Sequence, residues 1–365
     1  MNDCITRWVF DNKHVEKTIK TSFYTYGKTE FIYFKILRYK FDEGDIIKID
    51  IHPDDVYMSN IEGIPFKPVF IMGLHRSGSS ILYKILGKNG ELNKVTAYHI
   101  LKYDELIYNY VNNLEEEVKK KLNKLFRNKG ITDRKFDCIE INSDYAHEYV
   151  YIFTERGYPS KITHKNKWLF ENLCKKIKYI SENDNSILLK NPYDYTNFLF
   201  IKMIYPNAKF IFIHRNPLQT ISSTMRVWQV LLKNKNEYTA LFSRKYNQTF
   251  EKLPLLFVSR LCYTSRFPIG IFDVIHYSAS ATKYFLNNID QLSKEDYISI
   301  RYEELCREPN GAIADIMDFL HLESNIDHSN YIKPRNLKVI PEVKTMKKYI
   351  FKKMKPYFEY FEYSI

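Results

Sequence analysis

Two glycines, an arginine and three serines lie within one short segment, GLHRSGSS, at residues 73–80. Glycine lets the backbone approach a ligand closely, and backbone N–H groups at the start of a helix bind anions well. In loops that bind nucleoside triphosphates a lysine follows the second glycine, whereas here Ser79 has that position and the cation is Arg76. The pattern predicts a phosphate-binding loop without the lysine that bridges the phosphates of a triphosphate. A turn with no ligand is the alternative.

A second group of polar residues follows another apolar run, in KFIFIHRNPLQTISS at residues 209–223. Arg215 ends the predicted strand, and Ser223 lies eight residues further on, just over two turns along the predicted helix. The two side chains could hold a second phosphate between them. Taken alone, the pattern equally allows Arg215 to form an ion pair at the surface.

Short apolar runs alternate with helical segments over most of the chain. Strands are predicted at residues 69–72, 187–189, 210–213 and 297–300, and helices at residues 195–205, 218–232 and 310–320. This alternation predicts an α/β fold with three layers, in which helices cover both faces of a central parallel sheet. Ligands of such sheets bind at the carboxyl ends of the strands, where this chain has Arg76, Lys190, Arg215 and Arg301.

The composition limits the class of protein. Of 365 residues, 45% are hydrophobic and 27% are charged, which allows a sizeable core and excludes global disorder. The formal net charge of +12 favours an anionic partner without identifying it. Five scattered cysteines have neither disulfide-framework nor zinc-site spacing, and the sequence shows no other obvious metal cluster, so no metal is expected. Because the N-terminus has no apolar leader and no run approaches ~18 apolar residues, we expect a cytoplasmic protein.

The motifs resemble those of a known family. PVFIMGLHRSGSS and KFIFIHRNPLQTISS are similar to the two nucleotide-binding motifs of the sulfotransferases that use 3′-phosphoadenosine 5′-phosphosulfate, or PAPS. LLKNPYDY, residues 188–195, resembles the lysine-containing strand end of the tyrosylprotein-type and related bacterial members, and residues 298–322 resemble the family's C-terminal strand and helix. The resemblance covers about residues 66–325 and implies the P-loop-like sulfotransferase fold.

The resemblance also implies roles for the matching residues. Those expected to bind the nucleotide are Arg76, Ser77, Gly78, Ser79, Ser80, Arg215, Ser223 and Tyr302. The loop would hold the 5′-phosphosulfate, and Arg215 with Ser223 would hold the 3′-phosphate. Arg76 and Lys190 are expected to be catalytic, with Lys190 near the transferring sulfuryl group. The chain departs from the family at His75, where proline is common, and at the two serines that replace a pair of threonines.

The acceptor oxygen needs a general base. The tyrosylprotein-type enzymes use a glutamate some twenty residues beyond the loop arginine, but residues 95–99 of this chain contain none. His99 is the nearest group there that accepts a proton at neutral pH, so we predict it to be the catalytic base. Asp104 and Glu105 are rival bases, and a purely structural His99 is the other interpretation.

The sequence therefore predicts an enzyme that moves a sulfuryl group from PAPS to a hydroxyl or amine and releases 3′,5′-phosphoadenosine. A nucleotide-dependent kinase is the first alternative, disfavoured by Ser79, and a basic nucleic-acid-binding protein is the second. The acceptor and the oligomeric state stay open.

We expect an N-terminal extension over residues 1–60, the catalytic domain over 61–330 and a C-terminal extension over 331–365. Residues 331–355 contain nine lysines and arginines against one glutamate, which suits an acidic acceptor, a membrane surface or a solvated helix.

Overall fold

A computed structural model describes residues 37–40, 46–49, 52–135, 140–265, 268–323 and 338–364. The chain divides into two compact units, Met1–Ser59 and Asn60–Ile365. In the smaller unit, strands β1 (Leu37–Lys40) and β2 (Ile46–Ile49) form an antiparallel pair. The predicted division of the chain at residues 60 and 330 stays a prediction.

A five-stranded parallel sheet forms the centre of the larger unit. Its strands are β3 (Pro68–Met72), β4 (Leu92–Lys94), β5 (Ser186–Lys190), β6 (Lys209–His214) and β7 (Tyr297–Arg301). They lie in the order β4-β5-β3-β6-β7, and each neighbouring pair is parallel. Since β3 is central and the chain continues to either side of it, its carboxyl end lies where ligands of such sheets bind.

Helices connect and flank these strands. The helices that precede β6 are α1 (Ser79–Leu86), α2 (Ala97–Leu101), α3 (Leu106–Val111), α4 (Glu115–Asn128), α5 (Val150–Glu155), α6 (Lys167–Ser181) and α7 (Phe198–Ile204). Those that follow β6 are α8 (Pro217–Lys233), α9 (Glu237–Phe242), α10 (Arg244–Glu251), α11 (Leu253–Thr264), α12 (Gly270–Asn288), α13 (Tyr302–Arg307), α14 (Pro309–Leu320), α15 (Pro341–Thr345) and α16 (Lys347–Tyr360).

Alternate residues of the strands point into two separate cores. Phe70, Leu189 and Phe212 belong to one core, which α6 and α12 cover. Their chain neighbours Ile71 and Leu188 belong to the opposite core, which α1 and α14 cover. Because side chains alternate along a strand, each buried apolar run supplies both faces. The predicted three-layer α/β sandwich with a central parallel sheet is therefore confirmed.

Three strands were not predicted: β1 and β2 of the smaller unit, and β4 of the parallel sheet. β4 was not predicted, because among its three residues only Leu92 is buried, so its sequence lacks an apolar run. Part of the predicted C-terminal extension is packed: Val343, Ile350 and Met354 lie in a core shared with α8 and α12. The first residues of that extension, 331–337, lie outside the described part of the chain.

Candidate active site

The predicted phosphate loop runs from the carboxyl end of β3 to the first turn of α1, and its backbone fits that path only with glycine at one position. Gly78 has a φ of 103°, a conformation that other residues adopt only with strain. A Cβ atom there would lie 2.2 Å from the ring of Tyr302. Arg76 also has a positive φ, 70°. The loop is thus sharply curved, and its turn lies against Tyr302.

The two predicted phosphate sites are in direct contact. Arg76 Nε donates a hydrogen bond to Ser223 Oγ at 3.1 Å, and Arg215 donates through a guanidinium nitrogen to the Arg76 carbonyl oxygen at 3.0 Å. The Arg215 guanidinium also lies over the Tyr302 ring, 4.3 Å from its centroid. The structure therefore brings together Arg76, Arg215, Ser223 and Tyr302, which come from three separate segments of the sequence.

One hydroxyl of the loop is buried without a hydrogen bond. Ser77 is 2% exposed, and its Oγ has no hydrogen-bond partner among the described residues. Leaving a hydroxyl buried and unsatisfied costs about 1–3 kcal/mol, so such groups usually meet a ligand or water. A phosphate oxygen is a suitable acceptor, and the buried hydroxyl therefore fits a loop that binds a phosphorylated molecule.

Lys190 joins the loop to a carboxylate. It ends β5, is 4% exposed, and donates to Ser80 Oγ at 2.9 Å. The same ammonium forms an ion pair with Glu148 Oε1 at 2.5 Å. The structure therefore places the predicted catalytic lysine at the loop, with a carboxylate on its other side.

A small cavity of about 10 Å³ lies beside this ion pair. It is lined by Ser80, Tyr83, Arg134, Tyr145, Ala146, His147, Glu148, Tyr151, Lys190 and Tyr238. That volume holds about one water-sized group. The cavity therefore has room for one reacting oxygen atom of an acceptor next to Lys190. To admit more of the acceptor, the residues that line the cavity would have to move.

Lys190 and Glu148 each favour the charged form of the other. Burial alone would raise the pKa of Glu148, but the Lys190 ammonium and other nearby positive groups outweigh it and lower that pKa to about 2. Burial lowers the pKa of Lys190, while the Glu148 carboxylate opposes this. Burial also lowers the pKa of His147 to about 3 and that of His75 to about 4. At neutral pH the site thus holds a carboxylate base and two neutral imidazoles.

His99, predicted as the base, has a different environment. It lies in the first turn of α2, where its Nδ1 accepts a hydrogen bond from the Thr96 backbone N–H at 3.1 Å and its own N–H donates to Thr96 Oγ1 at 3.3 Å. Burial lowers the pKa of His99 to about 3. It is not among the described residues that line the cavity at Lys190. The imidazole is thus part of a helix cap.

The rival bases are also engaged elsewhere. Asp104 forms an ion pair with Arg156 at 2.6 Å, and Glu105 forms one with Lys102 at 2.6 Å. Neither lines the cavity in the described part of the chain. None of the three bases considered from the sequence is therefore brought together with Lys190.

Glu148 is the functional candidate that the sequence did not indicate. The segment that carries it pairs with the stretch in which a base was sought: His147 N–H donates to the Val95 carbonyl at 2.9 Å, and Ala97 N–H donates to the Tyr145 carbonyl at 2.9 Å. The carboxylate thus comes from the neighbouring segment of backbone. No local motif marks Glu148, so only the fold could locate it.

Two other features concern cofactors and membranes. Within the described ranges, no group of three or more His, Cys, Asp or Glu side chains is arranged to hold a metal ion. Among the helices described, none combines the length and apolarity needed to cross a bilayer.

Comparison with known proteins identifies the family. Residues 68–260, more than half of the chain, match the model of the sulfotransferase family. The fold is similar to that of sulfotransferase STF9 from Mycobacterium avium, with 12% identity over 85% of this chain and 81% of that one and a TM-score of 0.57. It is also similar to sulfotransferase STF1 from Mycobacterium tuberculosis H37Rv, with 12% identity over 83% of this chain and 80% of that one and a TM-score of 0.51. No curated protein matches the sequence significantly. The chain belongs to the sulfotransferase family.

Proposed function

We propose that this protein transfers the sulfuryl group of PAPS to a hydroxyl or amine acceptor and releases 3′,5′-phosphoadenosine. The observation that carries the proposal is the position of Lys190, whose ammonium lies between Ser80 of the phosphate loop and the Glu148 carboxylate. A group that is transferred from a phosphate in the loop to an acceptor beside the base would pass next to this cation.

The nucleotide would be held at both phosphates. Residues 76–80 would bind the 5′-phosphosulfate, which the unsatisfied Ser77 hydroxyl supports. Arg215 and Ser223 would bind the 3′-phosphate. Both contact Arg76, which supports a second anion site next to the loop. Tyr302 packs against the loop and under Arg215, and would contact the nucleotide there.

The transfer itself needs positioning and neutralisation of charge more than covalent chemistry. A bond forms between the acceptor oxygen or nitrogen and sulfur, and the bond between sulfur and the bridging oxygen of the 5′-phosphate breaks. Negative charge then grows on the leaving phosphate, as it does in phosphoryl transfer. Lys190 and Arg76 would stabilise that charge, so the reaction would proceed without a metal ion.

Glu148 would take the proton that the acceptor loses. Its carboxylate is ionised at neutral pH and lines the cavity that admits one oxygen-sized group. A pKa of about 2 makes it a weak base in the free protein. Binding of the anionic nucleotide beside Lys190 would offset the lysine's charge and raise the pKa of Glu148, because a nearby negative charge disfavours the carboxylate. His99 stays as the alternative base.

Calorimetry with 3′,5′-phosphoadenosine and 5′-AMP tests the proposal. The first should bind better, and Arg215→Ala should reduce its affinity about tenfold to a hundredfold while leaving 5′-AMP nearly unchanged, as expected for a charge-assisted phosphate contact. Arg127→Ala, at an exposed position on α4, is the control and should behave as the native protein. An Arg215→Ala protein with an unchanged preference would contradict the assignment.

The kinase alternative predicts different behaviour. If the proposal holds, activity with PAPS survives EDTA, because Arg76 and Lys190 supply the positive charge. Stabilisation by ATP with magnesium rather than by 3′,5′-phosphoadenosine, together with activity lost in EDTA and restored by magnesium, would establish the kinase instead.

A further inference from the structure

Helix α11 is apolar on nearly every side and yet lies at the surface. Leu253 is 74% exposed and Phe257 is 68% exposed, while Leu256 is the one residue of the helix that is buried. A helix that is hydrophobic all round is normally found in a protein core or in contact with lipid. This helix packs against α8, α10 and α12. Among the residues that the structure describes, none covers its outward-facing leucine and phenylalanine side chains, which stay exposed.

The exposed apolar side chains continue onto the neighbouring helices. Trp228 of α8 stacks on Tyr263 of α11 with 4.9 Å between ring centroids, and Tyr263 lies against Gly270 at the start of α12. Further along, Phe272 of α12 contacts Tyr349 of α16, with 6.1 Å between centroids. We call this set the apolar surface; its exposed members are Trp228, Leu253, Leu255, Phe257, Val258, Leu261, Ile269, Phe272 and Tyr349.

Positive charges flank the apolar surface. Exposed lysines and arginines lie on the same helices or directly beside them: Lys233, Arg244, Lys245, Lys252, Arg260, Lys347, Lys348, Lys352 and Lys353. Lys353 lies 5.7 Å from the centroid of the Tyr349 ring. The carboxylates of the same helices are Glu251, Asp273 and Glu359, of which Glu359 pairs with Lys355. The flanks therefore have a strong positive excess.

We propose that the apolar surface docks on a membrane that contains anionic lipids. The leucine and phenylalanine side chains would enter the boundary between headgroups and acyl chains, while the flanking cations would bind lipid phosphates. With twelve residues, α11 is shorter than the ~20 that span a bilayer, so it would lie on the membrane rather than cross it.

The charge pattern distinguishes this partner from a second copy of the chain. Two copies joined through the apolar surface would bring their cationic flanks together, and like charges across an interface weaken binding. A lipid surface of negative charge attracts the same flanks. The net charge of +12 acts in the same direction.

Sedimentation with lipid vesicles tests the proposal on the full chain. The protein should pellet with vesicles in which roughly a third of the lipid is phosphatidylserine, and less with pure phosphatidylcholine. The double substitution Leu253→Ser and Phe257→Ser should lower the partition coefficient at least about tenfold, because two large apolar side chains no longer enter the bilayer. Met203→Ser, at a 63% exposed position on α7, is the matched control and should bind as the native protein.

A variant that lacks two lysines tests the electrostatic attraction to anionic lipid. Lys245→Gln with Lys252→Gln should reduce the preference for phosphatidylserine about fivefold for each lysine, and added salt should do the same to the native protein. Unchanged melting temperatures would show that all variants are folded. Failure of the native protein to pellet with either vesicle, or equal binding by the Leu253/Phe257 variant, would overturn the proposal. Concentration-dependent dimers that this variant disperses, without vesicle binding, would assign the surface to a second copy.

Discussion

The ammonium nitrogen of Lys190 lies 2.5 Å from Oε1 of Glu148, inside the protein and at the carboxyl end of a central strand. A buried ion pair of this kind is weak support for stability, because removing two charges from water offsets much of their attraction. Its position beside the phosphate loop gives it another use. The lysine contacts Ser80 of the loop that is proposed to bind the nucleotide, and the carboxylate lines the cavity, so one pair could serve both ends of the proposed group transfer.

Replacing Glu148 separates proton transfer from nucleotide binding. Glu148→Gln keeps the shape of the side chain and removes the base, so kcat should fall about 10²–10⁴-fold. Affinity for 3′,5′-phosphoadenosine should not weaken, because Lys190 loses its competing anion. Steady-state kinetics and calorimetry measure the two effects.

Two further variants serve as comparisons for Glu148→Gln. Glu155→Gln, whose carboxylate accepts a hydrogen bond from the Arg244 backbone far along the chain, should keep native kcat. His99→Ala should keep more than about a third of native kcat and lose thermal stability, since it removes a helix cap worth about 1 kcal/mol. If His99→Ala loses 10²-fold or more in kcat while Glu148→Gln does not, the histidine is the base.

The pH dependence of kcat/KM for PAPS should show where the pair titrates. The pKa of Glu148 is lowered to about 2 by its positive neighbours, so the rate per folded molecule should be flat on the acid side of neutrality down to about pH 5. Burial lowers the pKa of Lys190, so the basic limb should lie below the ordinary lysine range. Lys190→Arg should move that limb to higher pH, because arginine stays protonated. An acid limb near 6.5 would instead indicate a histidine of ordinary pKa.

The sequence was sufficient to locate those candidate residues that follow a local pattern. The phosphate loop, Lys190 and Arg215 each follow a buried apolar run directly, so the rule that ligands bind at strand ends placed them correctly at one edge of the sheet. Strand β4 was not predicted, because its three residues, LNK, do not form an apolar run.

The sequence did not indicate Glu148, the base proposed here. The contact of Glu148 with Lys190 spans 42 residues of chain and depends on hydrogen bonds between residues 143–147 and 95–98. Long-range pairing of irregular backbone leaves no periodicity or motif to recognise. The stretch around His99 thus lies beside the segment that carries Glu148, the base proposed here.

Adding a methyl group at Gly78 should damage the loop. Gly78→Ala introduces strain at a positive φ, about 1 kcal/mol, and a clash with the Tyr302 ring, where overpacking adds about 1–3 kcal/mol. The melting temperature and the affinity for 3′,5′-phosphoadenosine should both fall. Gly63→Ala is a matched control, since Gly63 also has a positive φ but has no atom within 4 Å of the added Cβ.

The contrast between these two glycines identifies the cause. Gly63→Ala should lose only the strain component of stability and keep native affinity. Adding Tyr302→Ala to Gly78→Ala should recover part of the melting temperature without recovering nucleotide affinity, because the tyrosine is itself proposed to contact the nucleotide. If Gly78→Ala and Gly63→Ala lower the melting temperature equally, the contact with Tyr302 does not cause the loss of stability.

Acid should destabilise the protein well above the pH at which carboxylates titrate. Burial lowers the pKa of His99, His147 and His214 to about 3 and that of His75 to about 4. In the unfolded chain these groups return to about 6.5 and bind protons that the folded protein does not bind. The free energy of unfolding therefore has its full value above about pH 6.5 as far as these groups are concerned. It decreases as the pH falls below that value.

His214 provides the sharpest test of this acid effect. Its ring is buried at the end of β6, with Nδ1 2.9 Å from Tyr357 Oη and Nε2 2.7 Å from Ser299 Oγ. Each such histidine should contribute about 1.4 kcal/mol of lost stability per pH unit between about pH 6 and 4. Urea unfolding at several pH values measures the slope, which His214→Gln should reduce by about that amount. His276→Gln, at an exposed position on α12, should leave the slope unchanged. A native protein equally stable at pH 7 and 5 would show that these imidazoles take up protons while folded.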